Sequence, residues 1–141
     1  MIKESELIEL LQEYYSQRPF TEPCSLLKKL KWRDLELNKH SSGVYRYIKN
    51  GEIIYIGMSE KSVFRRTSSF VRHVGICLEG KRGNESHSRR WVRLGYTLAD
   101  LEDVIVEYSL CDRLFARSYE AWLIDKHIAK HGQPPLLNMA K

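Results

Sequence analysis

Two tyrosines and one glutamate are the residues of this chain whose surroundings could support chemistry. Tyr45 ends a Gly-Val-Tyr triplet, and Tyr55 begins a Tyr-Ile-Gly triplet after nine intervening residues. Tyrosines on one face of a hairpin can share a site, whereas tyrosines on opposite faces cannot. Glu120 stands in a mostly apolar helical run, where a carboxylate without a partner is costly. We therefore expect Glu120 either to bind a metal ion or to pair with an arginine.

Basic residues are concentrated in the middle of the chain. The net charge is +5 overall, but residues 61–93 alone carry +7 and the remainder carries −2. A local basic excess on a near-neutral background slightly favours a polyanion surface over an ordinary solvated face. The side chains that we expect to contact nucleic acid are Lys61, Arg65, Arg72, His87, Arg89, Arg90 and Arg93.

The two tyrosine triplets belong to a predicted β-hairpin over residues 43–48 and 52–57, with Asn50-Gly51 at its centre. A two-residue turn there would pair Lys49 with Glu52 and send the tyrosines to opposite faces. A three-residue loop with Gly51 in a bulge would instead set Tyr45 across from Tyr55. The sequence leaves both turns open, and only the second builds a shared site.

A helix is predicted directly after the hairpin, from about residue 62 to residue 74, with Ser59 or Ser62 as its N-cap. Val63, Arg66, Thr67 and Phe70 follow the helical repeat, so this seam should face the sheet and carry Arg66 with it. Arg65 should lie on the flank. Residues 75–85 are predicted to form a loop.

The remaining elements complete a small α/β (α+β) fold, a three-stranded antiparallel sheet flanked by helices in residues 41–141. We expect a helix at 87–94, a strand at 104–108 and a buried helix at 112–131 that ends at Gly132. A short terminal segment over 136–139 should bring Asn138 back to the sheet. Residues 1–40 are predicted to be a charge-neutral helical extension, with helices over 2–16 and from Thr21 through Leu26, Leu27, Leu30 and Trp32. A linker over 38–42 should follow.

Composition excludes several classes of protein. No apolar run approaches a membrane span, and the N-terminus lacks the apolar core of a signal peptide, so we expect a cytoplasmic protein. The three cysteines are scattered without a CxxC pair, which argues against a disulfide framework or a zinc knuckle.

Taken together, these motifs resemble the GIY-YIG nuclease superfamily over roughly residues 42–140. The paired triplets carry the resemblance, supported by an arginine on the next helix, Glu120 on a later helix and Asn138 near the end. Counting from the second triplet gives Arg65 as the family arginine. Helical phase gives Arg66, and Arg66-Thr67-Ser68-Ser69-Phe70 is similar to the Arg-Leu-Ser-Ser-Tyr run of the excision-repair branch. We favour Arg66.

The resemblance implies a metal-dependent DNA endonuclease. Tyr45 would take or position a proton of the attacking water, Tyr55 would support it, and the arginine would hold the phosphate. Glu120 would bind Mg²⁺ or Mn²⁺, and Asn138 would fix the site through hydrogen bonds. Deprotonating a phenol with a pKa near 10 at pH 7 costs about 4 kcal/mol, so a cation is needed close to the tyrosine.

The chain departs from the family pattern at the histidine. Many members place a histidine four residues after the arginine, where this chain has Phe70. His73 and His87 are the available substitutes, and each could instead be a surface or phosphate contact. Two alternatives to an active nuclease stay open: an inactive nucleic-acid-binding module, and an interaction subunit or homodimer that uses the N-terminal helices.

Overall fold

Four helices and four strands make up the part of the chain that the computed structural model describes, which is residues 2–27, 41–80 and 86–139. There are also two short 3-10 helices, Ala99–Asp103 before the last strand and Leu136–Asn138 after the last helix. The helices are α1 (Glu4–Ser16), α2 (Val63–Leu78), α3 (Ser86–Arg93) and α4 (Arg113–His131). The strands are β1 (Cys24–Ser25), β2 (Gly43–Lys49), β3 (Glu52–Ser59) and β4 (Val104–Leu110).

The sheet is antiparallel and has four strands in the order β1-β4-β2-β3, so the prediction of three strands is wrong. The additional strand, β1, comes from the N-terminal extension, where a second helix was predicted. Thr21 and Leu26 donate their backbone N–H groups to carbonyls of β4, at 2.7 Å and 2.9 Å. These bonds satisfy backbone groups along the outer edge of β4. The stabilisation from this pairing outweighs the helical preference that the spacing of the local apolar residues indicates. Leu30, Trp32 and residues 38–40 lie outside the described residues.

The sheet separates two apolar layers. On one face Tyr45 and Tyr47 pack with Phe70 of α2 and Trp91 of α3. On the other face Val44 and Ile56 pack with residues of α4 and α1. There the ring of Tyr15 stacks on Tyr119 at 5.4 Å with an interplanar angle of 4°, so α1 packs directly on α4.

Helix α4 lies on the surface, and the prediction that it is buried all round is wrong. Only Ala116 and Tyr119 are fully buried, whereas the Leu114 side chain is 77% exposed. The sheet covers one side of the helix and α1 covers only part of another. Its ends follow the sequence: Asp112 accepts a hydrogen bond from the Leu114 amide, and Gly132 ends the helix at φ 80°.

Helix α2 begins at the predicted cap, because the Ser62 hydroxyl accepts a hydrogen bond from the Arg65 amide at 3.3 Å. It continues to Leu78, into the segment predicted to be a loop. Its buried seam is Val63, Phe64, Thr67, Phe70 and Val74, whereas Arg66 is exposed. The predicted inward position of Arg66 is therefore wrong, since Phe64 covers the sheet and the guanidinium stays near water.

Among the described residues, no helix combines the length and the apolar character needed to cross a membrane.

Candidate functional site

The hairpin turn determines where the two motif tyrosines lie. Asn50 and Gly51 adopt positive φ values of 53° and 80°, and Lys49 pairs with Glu52 across a two-residue turn. With this turn alone, Tyr45 and Tyr55 would lie on opposite faces of the hairpin. They do not, because the strand pairing shifts by one residue between Ile48 and Tyr47.

A β-bulge at Ile54 causes this shift. Ile48 pairs with Ile53, but Tyr47 pairs with Tyr55, which leaves Ile54 as the extra residue of β3. Tyr45 then lies opposite Gly57. Cross-strand partners share a face, as do residues two apart on a strand, so Tyr45 and Tyr55 point to the same side. Neither predicted register forms, yet the shared face does.

The two motif tyrosines meet above Gly57. Their ring centroids are 6.0 Å apart, Tyr45 is fully buried and Tyr55 is half-buried. A Cβ at residue 57 would lie 2.6 Å from a ring carbon of each tyrosine and 2.7 Å from the Tyr45 hydroxyl. The glycine of the second triplet therefore lets the Tyr45 side chain lie across β3, which is the edge strand of the sheet.

His87, on α3, is the histidine that the fold brings to the tyrosines. Its ring stacks between Tyr55, at 4.4 Å and 5°, and Phe70, at 4.9 Å and 7°. Burial, together with the charges of Arg66 and His73, lowers the pKa of His87 to about 3. His87 is therefore neutral at pH 7. It touches Phe70, the residue in the position where many members of the resembled family have a histidine.

Arg66 connects this aromatic cluster to Glu120. Burial raises the pKa of the half-buried Glu120 carboxyl, and the charges of Arg117 and Arg66 oppose that rise. Arg66 thus acts on both His87 and Glu120, which belong to helices on opposite faces of the sheet. Arg65 is exposed as well, but it is not among the charges that shift either pKa.

Asn138 binds the free edge of β3 by imitating a neighbouring strand. Its Oδ1 accepts from the Ile56 N–H, and its Nδ2 donates to the Ile56 carbonyl, both at 2.8 Å. The terminal segment thus returns to the sheet, as expected. It binds β3 at Ile56, the residue between Tyr55 and Gly57.

The other sequence-predicted residues are spread over two helices and one turn. His73 bonds Ser69 on its own helix, within electrostatic reach of His87. Arg90 donates from Nε to the Leu136 carbonyl at 3.1 Å, so it anchors the terminal segment. Exposed positions are occupied by Lys61, Arg72 and Arg93, and Arg89 is half-buried.

Arg117 is a charged neighbour of Glu120 that sequence reasoning missed. It precedes Glu120 by three residues on α4, a spacing that places two side chains on one helical face. Its charge acts on the Glu120 carboxyl more strongly than that of Arg66. The same spacing, read from the sequence, could have found it.

A metal ion could use one protein carboxylate here. Within the described ranges no group of three His, Cys, Asp or Glu side chains comes together as a metal cage. A single half-buried carboxylate instead suits an ion such as Mg²⁺, which keeps several waters and takes phosphate oxygens as ligands. It does not suit zinc, which binds three or four protein ligands.

Comparison with known proteins adds no further constraint on this geometry. No protein-family model matches the chain, and neither a curated protein nor a solved structure matches it. The functional interpretation rests on the side chains that meet around the outer edge of β3.

Proposed function

We propose that the protein is a metal-dependent endonuclease that hydrolyses phosphodiester bonds of DNA through a GIY-YIG-type site. The observation that carries the proposal is the meeting of three side chains at the edge strand β3: the Tyr45 and Tyr55 rings lie 6.0 Å apart over Gly57, and the His87 ring stacks on Tyr55 at 4.4 Å. Asn138 bonds the same edge at Ile56, so residues far apart in the sequence contribute to one place.

The phosphate-binding role falls to Arg66. Its side chain is exposed, and a planar guanidinium donates two parallel hydrogen bonds to phosphate oxygens. Glu120 would hold Mg²⁺ or Mn²⁺, and such an ion supplies charge neutralisation for the scissile phosphate. The positive charge of Arg66 also favours an ionised phenol nearby.

We assign the proton-transfer role to the tyrosine pair. In the proposed reaction, in keeping with the resembled family, Tyr45 first releases its phenolic proton to solvent and then, as a phenolate, takes the water proton. Its hydroxyl lies over the edge strand beside Gly57. Tyr55 and the neutral imidazole of His87 form the polar surroundings of that hydroxyl. Because its pKa is lowered to about 3, His87 stays neutral at pH 7 and would serve the site as a hydrogen-bonding group rather than as a carrier of the proton.

One observation favours a second candidate, a nucleic-acid-binding module without activity. Tyr45 is fully buried, and a hydroxyl that water does not reach cannot activate water. In that case Arg66 and the other exposed basic residues would serve DNA binding alone.

Incubation of supercoiled plasmid DNA with the protein, in Mg²⁺ or in EDTA, separates the two candidates. The nuclease proposal expects nicked or linear DNA only with Mg²⁺. It also expects at least about a 100-fold slower reaction for Tyr45→Phe, as is typical when a proton-transfer group is lost. The matched control is Tyr96→Phe, whose ring packs on Trp91 at 4.6 Å, and this variant should cut normally. A wild-type protein that binds DNA but leaves it intact would establish the binding module instead.

A further inference from the structure

A second cationic site adjoins Arg66. An open pocket of about 340 Å³ lies between the end of β3 and the first turns of α2 and α4. Its charged lining consists of Lys61, Arg65, Arg66, Arg117 and the single acid Glu60. The formal charge of this lining is +3.

Glu60 does not neutralise this lining, and when Glu120 is counted, on which Arg66 and Arg117 also act, four cations still face two acids. Glu60 and Arg117 approach to 3.9 Å between a carboxylate oxygen and Nε, and their side chains are 50% and 80% exposed. An exposed pair at that distance contributes little, because water screens it. Four cations around a small volume repel one another, and an anion placed between them relieves that repulsion.

The anion would bind side chains rather than backbone amides of the turn. The N–H groups of Lys61 and Ser62 already donate to the Ser59 hydroxyl, at 3.1 Å and 2.9 Å. The Arg65 amide donates to Ser62, as described above. The guanidinium groups therefore determine which anion fits, and they match the oxygens of a phosphate.

We infer that this pocket binds a second backbone phosphate of the DNA strand, next to the phosphate held by Arg66. The inference rests on the proposed function for the identity of the strand, since Arg66 lines the pocket and also acts on His87 and Glu120. Arg117, which belongs to none of the sequence motifs, becomes a phosphate-positioning residue.

The test uses full-length Glu120→Gln protein, which should bind DNA without cutting it, and measures affinity for a fluorescent duplex over a range of NaCl concentrations. Each lost phosphate contact reduces the slope of log K against log salt by about 0.9. Adding Arg117→Gln should reduce the slope by that amount. Adding Arg113→Gln, one turn earlier on the exposed surface of α4, should leave the slope unchanged.

Two results would overturn the inference. One is an equal slope for the Arg117→Gln and Arg113→Gln proteins. The other is binding of inorganic phosphate that Arg117→Gln weakens while the salt slope of DNA binding stays unchanged, because the pocket would then hold free phosphate and not the DNA strand. A cutting assay separates the two proposals: in an active protein, Arg117→Gln should raise KM with little change in kcat. If Arg117→Gln reduces the salt slope but the wild-type protein never cuts DNA, the inference of a phosphate pocket stands and the nuclease proposal is refuted.

Discussion

At the scale of single residues, Gly57 is the position on which the tyrosine pair depends. Substitution by alanine would place a methyl group 2.6 Å from both rings, so the rings must move. We expect Gly57→Ala to lower the free energy of unfolding by about 1–3 kcal/mol, the usual cost of overpacking, and to reduce any cleavage. Urea denaturation measures the first effect.

Gly75→Ala is the matched control for Gly57→Ala. Gly75 lies inside α2, with open space where a Cβ would be, so the free energy of unfolding should rise by about 0.5–1 kcal/mol. Equal effects of the two substitutions would show that Tyr45 does not lie across Gly57.

His87 gives a second residue-scale prediction, on the pH dependence of stability. The folded state lowers the pKa of His87 to about 3, whereas an unfolded histidine titrates near 6.5. As pH falls from 6.5 toward 3, the unfolded chain gains a proton that the folded chain does not accept. The free energy of unfolding should therefore decrease with falling pH, by at most about 1.4 kcal/mol per pH unit from this group.

Substitution of His87 by phenylalanine should remove that contribution and retain the stacked rings. Denaturation curves between pH 4 and pH 7 would measure it, with His127→Gln as a control on another helix. A His87→Phe protein whose stability falls with pH as steeply as that of wild type would contradict the burial of a neutral imidazole.

The positions of some of these residues in the fold could be predicted from the sequence, and those of others could not. Asn138 was expected to return to the sheet, and a histidine substitute for position 70 was sought at His73 or His87. Periodicity could not choose between the two histidines, because His87 reaches Phe70 from a separate helix and the choice depends on how α3 packs on α2.

At the scale of elements, the bulge at Ile54 determines the face on which the tyrosines lie. Turn chemistry predicts the Asn50-Gly51 turn that forms, but it cannot predict a bulge two residues beyond it. Ile54 and Tyr55, consecutive on β3, both pack into the layer with α2 and α3, whereas Ile53 packs with α4, so the bulge interrupts the usual alternation of faces. The preference for that arrangement arises in the assembled core and not in the local sequence.

The strand edge closed by Asn138 gives an element-scale prediction. Asn138→Ala would expose the N–H and C=O of Ile56, each now bonded at 2.8 Å, and each such bond contributes about 1 kcal/mol. Amide hydrogen exchange at Ile56 should become at least about tenfold faster. Gln133→Ala, in the same terminal segment, should leave it unchanged. Unaltered exchange at Ile56 in the Asn138 variant would show that this edge needs no side-chain partner.

The start of α2 and the end of α4 followed the predicted caps, because Ser62 and Gly132 act locally, whereas α2 continues past its predicted end to Leu78. Strand β1 and the exposure of α4 were not predictable in the same way. A two-residue strand exists only because the β4 edge accepts it, and the burial of a helix depends on what covers it. Each of these is a tertiary effect that overrides local pattern.

At the scale of the whole molecule, both layers of the fold contribute side chains to the proposed site beside the edge strand β3. Tyr55 and His87 belong to the layer of α2 and α3, whereas Glu120 belongs to α4 on the other face. Arg66 acts on both. The basic pocket with Arg117 lies at the end of this strand, so a DNA strand that follows β3 would pass both sites.

The most direct test of this account is the initial rate of plasmid nicking by Glu120→Gln in Mg²⁺, beside the matched control Asp125→Asn on the same helix. Asp125 is exposed, and its loss should not alter the rate. Since a bound metal ion supplies several kcal/mol of charge stabilisation, Glu120→Gln should nick at least about 100-fold more slowly than wild type. Equal rates for wild type and Glu120→Gln would contradict the account.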